Sequence, residues 1–100
     1  MIVTTTTDSA EAAQRLAAGA VEARLAACVQ ISPVTSVYSW KGEIRTDAEY
    51  RLDCKTAPDR VDALVEHLRA HHTYDLPEVL VTSVVGGDKD YLGWLISETR

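Results

Sequence analysis

The sequence predicts an α+β fold, a split βαβ plait. Three observations predict it: β-branched or alternating segments that read as strands, two amphipathic helical segments set between them, and the order β-α-β-β-α-β followed by a short last helix. Two crossovers of the usual hand would lay both main helices on one face of the sheet. Residues 1–100 read as one domain, because no Gly/Pro/Ser-rich linker interrupts them.

The first strand is expected at residues 2–6, IVTTT, from its β-branched content. Asp8 is expected to cap the next helix, with Glu11 as its box partner. Ala13, Leu16, Ala17, Ala20, Val21 and Leu25 recur at helical spacing, and their small side chains suit a close approach to a sheet. Strand character returns at residues 28–40, where Pro33 marks an edge or a bulge. Lys41-Gly42 supplies a turn. Ala48, Tyr50, Leu52 and Cys54 then alternate with charged residues, which makes residues 28–54 a long hairpin. Folding it about Lys41-Gly42 pairs positions that sum to about 83, which puts Cys54 opposite Val29 and close to Cys28.

Thr56 and Asp59 are candidate caps for a second helix, whose buried stripe is Val61, Leu64, Val65 and Leu68. The fourth strand is expected at residues 78–85. Gly86-Gly87 ends it, and Asp88 caps a last helix carrying Leu92, Leu95 and Ile96. Helices cover only one sheet face, so the long hairpin with Tyr38, Trp40 and Tyr50 is left to another copy of the chain.

Charge and composition exclude several functions. Ten basic residues against fifteen acidic ones give a net charge of −5, and no basic stripe exists to hold a phosphate backbone, so nucleic acid is not an expected partner. No run of 18 apolar residues occurs and the first residues carry no basic start, which predicts a cytoplasmic protein with no membrane segment. Cys28 and Cys54 make neither a C-x-x-C pair nor a zinc spacing, and are read as reduced thiols.

RLAACVQ at 24–30, YSWKGEI at 38–44, E-x-x-L at 49–52, KT at 55–56, HHTYDLPEV at 71–79 and DYLGWL at 90–95 together resemble the CutA divalent-cation tolerance family across essentially the whole chain. The resemblance implies a ferredoxin-like protomer, a homotrimer, and a role in tolerance of copper and other divalent cations. It implies no catalytic step. Its cysteine of the AACV segment corresponds to Cys28, and its histidine before the usual Pro-Tyr pair corresponds to His72. Thr73 stands here in place of that proline.

Cys28 and His72 are therefore the candidate metal ligands. A thiolate and an imidazole suit copper or zinc, with Asp75 or Glu78 as carboxylates to complete the set. Cys28 also has a plainer reading, as a small core thiol. His67 and His71 stand four apart, the spacing of helical metal pairs, but without the H-E-x-x-H pattern surface histidines are the plainer reading.

No cofactor is required, and copper or another divalent transition metal is the expected ligand class. No nucleophile motif, dinucleotide loop or Walker motif is present, so the chain is read as non-enzymatic. An acylphosphatase would share the plait, but TTTTDSAE offers no arginine or glycine-rich anion cradle. A different function remains open beside metal response: a trimeric signalling or scaffold protein that takes a small ligand or a protein at subunit clefts. The loop around His72 and the hairpin at residues 38–43 would be the walls.

Overall fold

The computed structural model describes residues 1–100. Its order is β1 (Ile2–Thr7), α1 (Ala10–Glu22), β2 (Cys28–Trp40), β3 (Glu43–Lys55), a 3-10 turn (Pro58–Arg60), α2 (Val61–His71), β4 (Leu80–Thr82) and α3 (Lys89–Glu98). The four strands form one antiparallel sheet in the order β2-β3-β1-β4. Alternation along the strands separates two faces. Val3, Leu52 and Cys54 are fully buried against Ala13, Leu16, Ala17 and Ala20 of α1 and against Leu64 and Leu68 of α2. The opposite face carries Ile2, Thr4, Asp53, Lys55, Cys28 and Gln30, and neither α1 nor α2 packs there.

α1 begins one residue later than the Asp8 cap expected from sequence. The Thr7 hydroxyl donates to the Ser9 carbonyl at 3.1 Å, and Ser9 Oγ accepts the Ala12 N–H at 3.1 Å, so Ser9 is the cap. Glu11 pairs with Arg15 at 3.3 Å instead of closing a capping box. At the other end, Arg24 adopts φ 58°. The Arg24 N–H then reaches the Val21 carbonyl at 3.0 Å and the Leu25 N–H reaches that of Ala20 at 3.0 Å, a Schellman stop with arginine in the place usually given to glycine.

The hairpin keeps one register throughout, Cys28↔Lys55 to Trp40↔Glu43, so the bulge considered at Pro33 is absent. Pro33 fits because β2 is an edge strand, where the missing N–H can face away from β3. Lys41 (φ 49°) and Gly42 (φ 79°) both take positive φ, which matches the twist of a two-residue hairpin turn. β1 pairs with β3 only from Ile2↔Lys55 to Thr7↔Tyr50. The pairs from Val34↔Glu49 to Trp40↔Glu43 therefore project past the four-stranded sheet and account for the 45 Å long axis.

Two further expectations change. Neither Thr56 nor Asp59 caps α2: the Thr56 hydroxyl donates to the Leu25 carbonyl at 2.7 Å, and Asp59 takes the Arg100 guanidinium at 2.6 and 2.8 Å. Pro58 starts the 3-10 turn that leads into the helix, since its missing N–H needs no acceptor there. The fourth strand is three residues long instead of spanning 78–85, because β1 offers only Ile2–Thr4 for pairing. Beyond Thr4 the loop after α2 occupies β1, with His72 bonded to Thr5 and Thr6. Asp88 does cap α3, accepting the Tyr91 N–H at 2.9 Å.

Candidate functional site

Cys28 opens β2, directly across from Lys55 and on the sheet face that the two helices leave bare. It is half-buried and free. Cys54 pairs with Val29, as the hairpin arithmetic expects, but one position of offset turns it to the helix face. The two thiols therefore point to opposite sides of the sheet and make no disulfide. Burial above all, with the Asp53 charge beside it, pushes the Cys54 thiol up to about 12, which leaves it an inert core group.

His72 lies just past α2 and has both ring nitrogens engaged. Nδ1 accepts the Tyr74 N–H at 3.0 Å, which assigns the proton to Nε2. Nε2 then donates to the Thr6 carbonyl at 2.9 Å and lies 3.1 Å from the Thr5 hydroxyl. The Tyr74 hydroxyl donates to Glu49 at 2.9 Å, and burial followed by that hydrogen bond holds its phenol well above the usual range. One network thus ties the loop after α2 to β1 and to the base of the hairpin.

Within one chain the two candidate ligands do not meet. Cys28 shares a row with Ile2 across two strand spacings, whereas His72 contacts Thr6 four residues along β1. Strand geometry makes that separation roughly 15 Å, on opposite faces. As placed, His72 has no free lone pair for an ion, and no group of three His, Cys, Asp or Glu side chains converges anywhere in the chain. Asp75 and Glu78 lie exposed in the loop, outside any such cluster. A copper or zinc ion does not fit Cys28 and His72 of the same chain together.

His67 and His71 do come together. Both lie in α2, with ring centroids 4.3 Å apart and planes 31° apart. A shallow cleft of about 390 Å³ lies elsewhere, between the end of α1 and α3, where Val21, Ala26 and Ala27 face Trp94 beside Glu22, Arg24 and Glu98. Trp94, whose setting the sequence leaves open, is 41% exposed there and packs against Tyr91. The role of His72 was legible in principle. Four consecutive threonines on a buried strand demand polar partners, and the histidine after α2 supplies one of them.

The model of the CutA1 divalent ion tolerance proteins matches residues 1–98. The chain belongs to the CutA1 divalent ion tolerance family. It is 46% identical over 101 residues to the chloroplastic CutA 1 protein of Oryza sativa, covering 100% of this chain and 57% of that protein. The divalent-cation tolerance protein CutA of Pectobacterium atrosepticum is 44% identical, with coverage of 100% and 91%. The chain spans little more than half the length of the plant relatives it matches. The CutA1 structure from Thermus thermophilus superposes with a TM-score of 0.94 at 40% identity, covering 99% of this chain and 97% of that one. The periplasmic CutA of Archaeoglobus fulgidus gives 0.96 at 29%, with the same coverage. The α+β plait is thereby established. The relatives' names place CutA proteins in chloroplast and periplasm, and for this chain no helix is long and apolar enough to cross a membrane.

Proposed function

We propose that this chain acts as a homotrimer in tolerance of divalent transition metals, copper among them, without catalysing a reaction. The observation that carries the reading is the match to the family over residues 1–98, joined to a fold that agrees over the whole chain. The shape of the protomer supports assembly. Its sheet has two different unpaired edges, the long β2 and the short β4, and a face that neither α1 nor α2 covers. Two unlike edges favour head-to-tail contacts that close into a ring rather than a two-fold dimer. Leu80 and Val81 lie exposed at one edge and the Trp40 end of the hairpin lies at the other, so association covers apolar surface on both.

Cys28 and His72 enter this reading as separate donors. Cys28 offers a thiol on the face that neither α1 nor α2 covers, whereas an ion at His72 must first open the bond to Thr6 or to Tyr74. The experiment is twofold. Sedimentation equilibrium at low micromolar concentration should give three chain masses, and deletion of the gene in its host should raise sensitivity to copper, restored by the intact chain. A persistent monomer, or a deletion strain as tolerant as its parent, overturns the proposal. In the trimer, Cys28→Ser and His72→Ala should reduce copper binding additively, because the two side chains share no ion within a chain.

A further inference from the structure

We propose that His67 and His71 form a two-imidazole chelate for a divalent transition-metal ion on the C-terminal half of α2. The inference rests on the divalent-cation reading for its physiological setting. Its donors all come from one helix of one chain, so it requires neither the trimer nor Cys28 or His72.

Residues four apart on an α-helix stand one above the other, and here the two rings face each other at 4.3 Å with a tilt of 31°. The orientation of His71 is fixed from behind. Its Nδ1 lies 2.9 Å from the His67 carbonyl, which can only accept, so Nδ1 carries the proton and the lone pair is at Nε2. That arrangement, a backbone carbonyl holding one ring nitrogen while the other stays free, is the support that metal-bound histidines typically have. His71 is solvent-exposed and the free Nε2 has no protein partner.

The setting of His67 is complementary. Its Nε2 lies beside Gly19 of α1, where even an added methyl group would sit 3.5 Å away, so no α1 side chain at that position covers the nitrogen. Two nitrogens and open coordination positions suit Zn(II), Ni(II) or Cu(II), and not the hard ions Mg(II) and Ca(II). No third protein ligand stands by, so water fills the remaining positions.

His72, next in sequence, is excluded because both its nitrogens are bonded to protein. The assignment therefore separates two adjacent histidines by their hydrogen bonds alone.

The test titrates the metal-free full-length protein with Zn(II) by calorimetry at pH 7.5, with Mg(II) as control. One ion per chain is expected at the His67–His71 pair, with no response to Mg(II). His67→Gln and His71→Gln should each weaken binding by no less than the roughly 10- to 100-fold typical of losing a mere supporting hydrogen bond. Cys28→Ser should leave it intact. Imidazole 15N resonances of the unmodified protein provide a second readout that needs no variant: zinc should shift those of His67 and His71 and leave those of His72 in place. The inference is overturned if both folded glutamine variants keep the original affinity and stoichiometry, if zinc leaves the His67 and His71 resonances unmoved, or if only Cys28→Ser abolishes binding. That last result would leave the tolerance reading standing, whereas a copper-insensitive deletion strain with an intact chelate would remove the tolerance reading alone.

Discussion

His72 shows how a single side chain can serve the fold when its residue type points to chemistry. Its ring joins Thr6 of β1 to Tyr74, and Tyr74 in turn reaches Glu49 on β3. His72→Ala should therefore leave the Thr6 carbonyl and the Tyr74 N–H without their partners, at a cost of about 1 to 3 kcal/mol in urea unfolding. His72→Asn, which keeps a donor and an acceptor, should recover part of that loss. No change in stability would mean that water replaces the ring without penalty. Cysteine and histidine at family positions are legible in a sequence; which nitrogen is spoken for is not, because that depends on contacts 66 and 67 residues away in the chain. The same holds for Cys54. Its strand position follows from hairpin arithmetic, but its inertness follows from the helices packed above it.

At the scale of elements, periodicity carried further than capping. The stripes of α1 and α2 and the hairpin register follow the residue pattern, since burial of one face fixes them, except that Val21 is 42% exposed and Leu25, though buried, lies past the end of α1. Caps and strand ends depend on rival partners instead. Asp8, Thr56 and Asp59 all have side chains able to cap, yet Ser9 takes the first role while Thr56 and Asp59 bond to Leu25 and Arg100. β4 is shorter than its apolar run because a strand needs a neighbour, and β1 supplies three positions. The stop of α1 gives a test at this scale. Arg24 holds a left-handed φ of 58°, which costs a non-glycine residue about 1 to 2 kcal/mol. Arg24→Gly removes that strain, adds chain entropy to the unfolded state and deletes an exposed pair with Glu98 at 3.6 Å, worth about 0 to 1 kcal/mol. The midpoints of these ranges leave a net stabilisation of only about 0.3 kcal/mol, expected in urea unfolding. A destabilised variant would mean that Arg24 does more by clasping α3 than it costs in backbone strain.

The whole molecule is shaped for company. A domain of this size buries a modest fraction of its surface, and this one extends a two-stranded arm past its own sheet. An isolated two-stranded arm is marginal in water, and in the proposed trimer a neighbouring protomer would support its register over the outer pairs. At its tip Trp40 is 41% exposed and Ile44 77% exposed, while Tyr38 is held by Asp47 on the neighbouring strand. Aromatic anchors at the centre of an interface each contribute strongly, whereas rim residues contribute little. If the arm packs along a neighbouring protomer, Trp40→Ala should weaken assembly by about 2 to 5 kcal/mol, read as a shift of the trimer midpoint to higher concentration in sedimentation. The protomer fold should persist in that variant, because Trp40 lies outside the buried cluster that joins the sheet to α1 and α2. Retained helical circular dichroism with loss of the trimer is thus the expected pair of results. An unchanged midpoint would place Trp40 at the rim and move the anchor to the exposed Leu80 and Val81 edge.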